Sequence, residues 1–269
     1  MSPASGTPLA RDTEHPDDHA DVRARVIGGQ AGASSRMDRG IWAIWYDLPA
    51  EHRVAYLDWF HHVHIPEKLA RPGYLWAAHY ELVGEGQDRP EAADTACLAL
   101  FGGSSTHTFL SPSPRQLLTR QSADTKRLMG MRRNSAACIL AEEVRVDGPD
   151  AAQRGPGLTT APVIQLGNYN TASAAVDDDL GAWYAQERLP LLAALPGCVG
   201  ARKMLATVGE YKHAILHEFA SLELRARYFA PHEAAARDPA TWMGRVRPNL
   251  THAPRSPAVG LRVWPPPVA

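Results

Sequence analysis

Residues 59–73 read WFHHVHIPEKLARPG, and residues 183–197 read WYAQERLPLLAALPG. Trp59, Phe60, Ile65, Pro66, Pro72 and Gly73 fall on Trp183, Tyr184, Leu189, Pro190, Pro196 and Gly197 at one constant offset, with no gap. An aromatic pair, a mid-segment proline and a terminal Pro-Gly at one shared spacing mark two copies of a single small unit. The length of 269 residues suits two domains of ordinary size, each able to bury its own core.

Outward from the first motif, Ile41 to Tyr46 is an aromatic and β-branched run that reads as a buried strand. The spacing predicts a helix from Pro49 to His64, with Leu57, Phe60, His61 and His64 on one face. Pro66 is expected to end or bend it, and Pro72-Gly73 to force a turn. Strands follow at Tyr74 to Val83, Thr95 to Phe101 and Ala136 to Val146, with a helix over 115–129 that stops at Gly130. The second copy repeats the order. It has a strand from Val163 to Tyr169 and a helix from Asp177 to Leu192 with an acidic first turn. Strands at 199–206 and 211–219, a helix over 221–236 and a strand near 258–264 complete it, and 238–257 reads as irregular. The division is a disordered tail over 1–38, a repeat over 39–146, a Gly/Pro linker over 147–160 and a repeat over 161–269. Met37, just before the first strand, is a second candidate start, and His15 and His19 in the acidic tail read as solvated.

A net charge of −1 gives no basic field for nucleic acid or an anionic membrane. No apolar run approaches the roughly 18 residues of a membrane helix, and no secretory signal is visible. The three cysteines, Cys97, Cys138 and Cys198, are far apart and read as reduced, packed thiols, which points to the cytoplasm.

The order β-α-β-β-α-β is the ferredoxin-like arrangement, so the fold class is α+β with two tandem ferredoxin-like repeats. The strands are apolar on both faces, and the second face must be covered. Two sheets packed together within one chain, helices outside, would cover it; so would a second polypeptide. A homodimer through an exposed sheet edge is also open.

The run W-F-x-x-V-H-I-P with its downstream P-G resembles the EthD-like branch of the dimeric α/β-barrel superfamily, over most of the chain from about 40 to 264. The resemblance implies an intramolecular α/β barrel with a pocket between sheet and helices in each repeat. It implies cofactor-free cyclases, isomerases, decarboxylases, dehydratases or monooxygenases acting on aromatic or polyketide-like compounds; a distant branch binds haem. Neither copy keeps the whole motif, which continues into a strand with Ala-Arg-Arg-Tyr. The first has His64 and Tyr80 but Ala78-His79 in place of the arginine pair. The second has Arg188 at the histidine position and Met204 at the tyrosine position, and keeps Ala201-Arg202-Lys203. The active pocket is therefore expected in the first half.

His64 is the leading candidate, an imidazole turned between helix and sheet where it can act as general base or acid; a helix-end cap is the bland alternative. Tyr80 and His79 join it as expected catalytic groups, with a tyrosine hydroxyl polarising a carbonyl or phenolate. His61, Trp42, Trp45, Tyr46, Phe60 and Trp76 are the candidates to line the substrate, although core packing is the expected role of most of the aromatic residues. His62 should face away. Only His61 and His64 share a face, so no metal site is expected. A second-repeat pocket would use Arg188, Tyr169, Lys203 and His217; with Arg202, His213 and Glu218 these otherwise read as exposed ion-pairing positions. No phosphate-cradling glycine motif or nucleophile elbow occurs. The expectation is a cofactor-independent enzyme that moves protons on a small aromatic or cyclic oxygenated substrate, as a lyase or an isomerase. The alternatives are a noncatalytic small-molecule carrier and a haem-dependent or oxygen-using enzyme.

Overall fold

The computed structural model describes residues 38–84, 94–155 and 157–267. The expectations for Met37, His15 and His19 lie outside that range. Asp38, assigned to the tail by sequence, is instead fully buried in the core.

Nine strands form: β1 (Gly40–Leu48), β2 (Tyr74–Val83), β3 (Thr95–Gly103), β4 (Arg133–Asp147), β5 (Val163–Thr171), β6 (Cys198–Val208), β7 (His213–Phe219), β8 (Leu250–His252) and β9 (Ala258–Trp264). Hydrogen bonding runs in the order β7-β6-β4-β1-β3-β2-β9-β5, and β5 pairs back to β7. Eight antiparallel strands thus close into a barrel, and the short β8 sits on the end of β5. The first four strands have the lateral order β4-β1-β3-β2 and the last four β9-β5-β7-β6. Their seams are the pairings β4–β6 and β2–β9. The two sets do not stack face to face as separate sheets; they join edge to edge, which leaves no unpaired barrel edge.

Side-chain alternation then divides the core. Ile41, Ala43, Ala78, Leu98, Leu140, Leu166 and Met204 fill the lumen. Trp42, Ile44, Tyr46 and Phe101 face outward under the first helix, and Val163, Tyr169, Ile215 and Phe219 face outward under the second-half helices. This explains the strands that read as apolar on both faces.

The motif helix is one continuous run: α-helix Arg53–Trp59, a π-helical turn Phe60–His64, and α-helix Ile65–Leu69. Pro66 neither ends it nor is expelled. Proline has no N–H and its ring crowds the carbonyl four residues back, and a wider turn upstream relieves that clash. The same device recurs at Tyr184–Arg188 before Pro190 and at Arg225–Phe229 before Pro231. Gly73 and Gly197 close the two motifs at φ +83° and +81°, a conformation that favours glycine. The single helix expected over 115–129 is two, Pro114–Arg120 and Ala123–Met129, because Ser122 breaks the run and caps the second by accepting from the Thr125 N–H. The stretch 238–257 is not wholly irregular: it holds the helix Trp242–Val246 and β8. No described helix is long and apolar enough to cross a membrane.

The lumen has two unlike ends. One is plugged by charge. Arg202 Nη1 donates to Asp38 Oδ2 at 2.7 Å, Arg154 Nε to Glu218 Oε2 at 3.3 Å, and the Trp76 indole to Asp38 at 2.8 Å. Arg154 and Thr160, read as linker, belong to this plug. The other end is an open cup of about 600 Å³, lined by Trp45, Cys138, Leu166, Asn168 and Arg255 among others.

Candidate functional site

The π-turn sets the outward side of the first half. Phe60 is fully buried, His64 is 6% exposed, His61 is half-buried and His62 is exposed, bonded to Asp58 at 3.0 Å. The expected helix face is therefore the buried one. His64 rests between Trp59 and Phe60, with ring centroids at 4.6 and 5.6 Å, and its Nδ1 makes no hydrogen bond among the described residues. Burial, then the charges of Lys68, Arg132 and Arg71, push its pKa down to about 3. It is neutral at ordinary pH.

A second histidine group lies beside it. His79, fully buried on β2, shares a hydrogen bond of 2.8 Å between its Nε2 and the Tyr46 hydroxyl. Its Nδ1 shares another of 2.8 Å with His61 Nε2. Neutral tautomers satisfy both bonds: Tyr46 O–H donates to His79, and His79 N–H donates to His61. Tyr56 extends the chain, accepting from Arg132 Nε and lying next to the Tyr46 hydroxyl. Arg132 lays its guanidinium 4.2 Å from the Tyr46 ring centroid and also faces Tyr56 and Phe60. Burial pushes His79 well below the usual histidine range and Tyr46 well above the usual phenol range. His61, held at about 4 by burial and then by His62, is the half-exposed end of the chain.

Not every expected residue joins this group. Tyr80 follows His79 on a strand and therefore faces the lumen. There its hydroxyl bonds Thr160 Oγ1 at 2.6 Å and donates to the Ala161 carbonyl at 2.8 Å. It is turned away from His64 and cannot polarise a group bound there. Trp76 and Trp45 also belong to the lumen side, Trp76 against the charge plug and Trp45 in the cup. Trp42, Tyr46 and Phe60 do share the His64 side.

In the second half, Tyr169, Arg188 and His217, with Tyr184, Glu233 and His252, line a cavity of about 60 Å³. A neighbouring cavity of about 190 Å³ shares Trp183, Arg188, Ala236 and Met243. Lys203 stands aside, paired with Glu143 and 5.7 Å from the Tyr184 ring. Arg188 pairs with Glu233, and Tyr169 donates to the Tyr184 hydroxyl at 2.9 Å. Burial and the Arg188 charge hold His217 well below the usual range. The exposed reading of these positions is corrected: Tyr169, Arg188, Arg202, Lys203, His213, His217 and Glu218 are all at most 5% exposed. Neither His64 nor His79 lines the cup or the two second-half cavities. Among the described residues no three histidine, cysteine or carboxylate side chains are grouped as a metal ion would need.

Sequence reasoning missed Lys68, Arg71, Arg132 and Tyr56. Lys68 was within reach, because it follows His64 by four residues and so shares its helix face. Arg132 reaches the site from the turn before β4, and nothing local to it announces that.

No family model matches the chain, and no curated protein matches it. Solved structures do. A candidate monooxygenase from Fusobacterium nucleatum subsp. nucleatum is 8% identical, with 84% of this chain and 93% of that chain aligned, at a TM-score of 0.53. An anthrone oxidase-like protein is 11% identical, with 84% and 92% aligned, at a TM-score of 0.50. At such identities the likeness is one of fold alone, a closed eight-stranded antiparallel barrel with helices outside.

Proposed function

We propose that this chain is an enzyme that moves a proton on a small aromatic or cyclic oxygenated compound, with His64 as the base and no bound cofactor. One observation carries the reading: His64 is a buried, neutral imidazole with a free ring nitrogen, set on a π-turn between aromatic faces. Such turns recur at functional sites. The developing oxyanion is met by Lys68, Arg71 and Arg132 and not by Tyr80. A ring held near 3 is a weak base in the empty site; an anion forming beside it raises its basicity.

The repeated motif and the matching strand orders support reading the barrel as two tandem ferredoxin-like repeats, with the EthD-like motif as the specific likeness. Two proteins of this fold are described as a candidate monooxygenase and as anthrone oxidase-like. Proton removal from an activated carbon acid is the common first step of isomerisation, of elimination and of carbanion oxidation by dioxygen. An oxygen-using version therefore needs the same base.

A haem-dependent reading is equally compatible with the fold, and buried His217 opposite Arg188 favours it. The space beside that ring is about 60 Å³, against roughly 300–1,000 Å³ for common ligand pockets, so the residues as placed leave no room for a macrocycle. A Soret band in purified protein would reinstate that reading.

His64→Ala should lower kcat by about 10²-fold or more on a turned-over substrate. Unchanged turnover rejects the base; unchanged turnover with intact affinity favours a carrier or a different catalytic group.

A further inference from the structure

One turn beyond His64, the same helix face carries Lys68, only 4% exposed. Its ammonium lies 5.2 Å from the Trp42 ring centroid and forms no hydrogen bond or ion pair among the described residues. Arg71 and Arg132 face the same place, and each keeps one buried guanidinium nitrogen, Nη1 and Nη2 respectively, without an acceptor. Including the free Nδ1 of His64, four side chains here offer nitrogens, and among the described residues no carboxylate pairs with them. Glu67, the nearest acid that acts on Lys68, is exposed and acts more weakly than the two arginines.

The rest of the barrel shows what a partnered cation looks like. The other buried cations are Arg188, Arg202, Lys203 and Arg262. Arg188 has Glu233, Arg202 has Asp38, Lys203 has Glu143, and Arg262 donates to the Thr160 carbonyl. Arg188 occupies in the second half the place His64 holds in the first, and there an acid is supplied by the chain itself. In the first half no such acid stands among the described residues. An ammonium carries three donors, and holding it on a side chain only 4% exposed without a protein acceptor is unfavourable, so water or a ligand must complete it. The mutual repulsion shows in Lys68 itself, pushed down to about 8 by burial and then by Arg71 and Arg132.

We propose that the missing acid is the ligand's: Lys68, Arg71 and Arg132 bind the carboxylate of an aromatic molecule. The planar guanidinium forks suit a carboxylate's two oxygens. The surroundings suit a flat apolar body, since Trp42, Trp59, Phe60 and Tyr46 crowd the same side. Arg132, half-buried, now covers the faces of Tyr46, Tyr56 and Phe60. A ligand ring takes that place when its carboxylate draws the guanidinium aside. The anion also offsets the charges that depress His64, so the molecule that docks is the one that makes the base competent. The inference rests on the His64 reading for which site is the functional one, yet binding is measurable without turnover.

The test titrates the full chain with 1-naphthoate, its neutral isostere 1-naphthamide, and sulfate, following tryptophan fluorescence and heat. Naphthoate should bind at least tenfold tighter than naphthamide, and Lys68→Met should remove at least tenfold of the naphthoate affinity. K68M should fold with an unchanged or raised Tm, because an apolar side chain replaces an unpaired buried charge; Arg71→Met, nearer the surface, serves as the second variant. The ring carbons of His64, followed by NMR, should titrate at higher pH with naphthoate bound. Equal affinity for naphthoate and naphthamide, or full naphthoate affinity in K68M, overturns the proposal. Sulfate binding with naphthoate excluded also overturns it, assigning the cluster to an inorganic oxyanion. An H64A variant that still binds naphthoate supports the anion site whatever happens to turnover.

Discussion

Asp47 and Arg255, 208 positions apart, meet in a two-pronged ion pair at the open mouth of the barrel: Nη1 donates to Oδ1 at 2.8 Å and Nη2 to Oδ2 at 2.7 Å. The same carboxylate accepts from Asn134 Nδ2 at 2.8 Å. Asn134 and Arg255 are the two non-glycine residues with positive φ among the described residues, at 48° and 63°. Both line the 600 Å³ cup. One side chain on β1 thus braces two unfavourable backbone conformations at the mouth of the cup.

Removing that brace should loosen the mouth. Asp47→Ala is expected to cost about 2 kcal/mol, the range of charge-assisted hydrogen bonds only partly screened by water. Urea unfolding measures it; an unshifted midpoint with an unchanged slope would show that the rims hold themselves.

Acid should weaken the fold well before its carboxylates titrate. His64, His79 and His217 are buried and neutral, with pKa values below the usual 6.5, mainly through burial. A histidine depressed in the fold takes up its proton only on unfolding. Its contribution is complete above about pH 6.5 and is lost as pH falls below that value, by about 1.4 kcal/mol per pH unit for each ring. Asp38 and Glu218 are lowered by their arginine partners against the effect of burial, so their contribution is present above about pH 4 and lost below it. Stability measured from pH 7 to pH 5 should therefore fall steeply, and His64→Leu should remove one ring's share of the slope. A flat profile over that interval contradicts the buried neutral assignment.

Close packing at the motif's far strand makes another test. A Cβ at Gly102 would sit 2.0 Å from the Trp76 indole, whose N–H holds Asp38 in the charge plug. Gly102→Ala should cost roughly 3 kcal/mol or more, since both the ring and its acceptor must move. Gly157, at φ +62° with nothing within 4 Å of its Cβ position, should cost only about 1 kcal/mol when changed to alanine. A loss at Gly102 no larger than that at Gly157 would mean that the indole moves aside at little cost.

Much of the architecture was legible because two signals agreed. The repeated motif appears as two π-turns and two left-handed glycines at the same offset, and the strands between fall where apolar β-branched and aromatic runs put them. The inward turn of His64 was legible from helical spacing. That Tyr80 faces the lumen was legible too, by alternation from His79, but the motif likeness drew it toward the histidine instead. What no local pattern could give was partnership across the barrel. Glu233 meets Arg188 from 45 residues away, Glu218 meets Arg154 from 64, and Asp38 meets Arg202 from 164. Residues that look solvated in a string of letters become core once an opposite charge arrives from another strand. Lys68 was legible from its place four residues after His64, but Arg132 beside it was not, and the group stands out only because no acid among the described residues meets it.

The seams between the first four strands and the last four lie within a single polypeptide. Their meeting is a first-order event, so dilution has no power to part them. A barrel closed by two identical chains would receive every substitution twice, at symmetry-related places. Here a change on one side is answered on one side only, which lets a histidine stand opposite an arginine without either having to serve the other's surroundings.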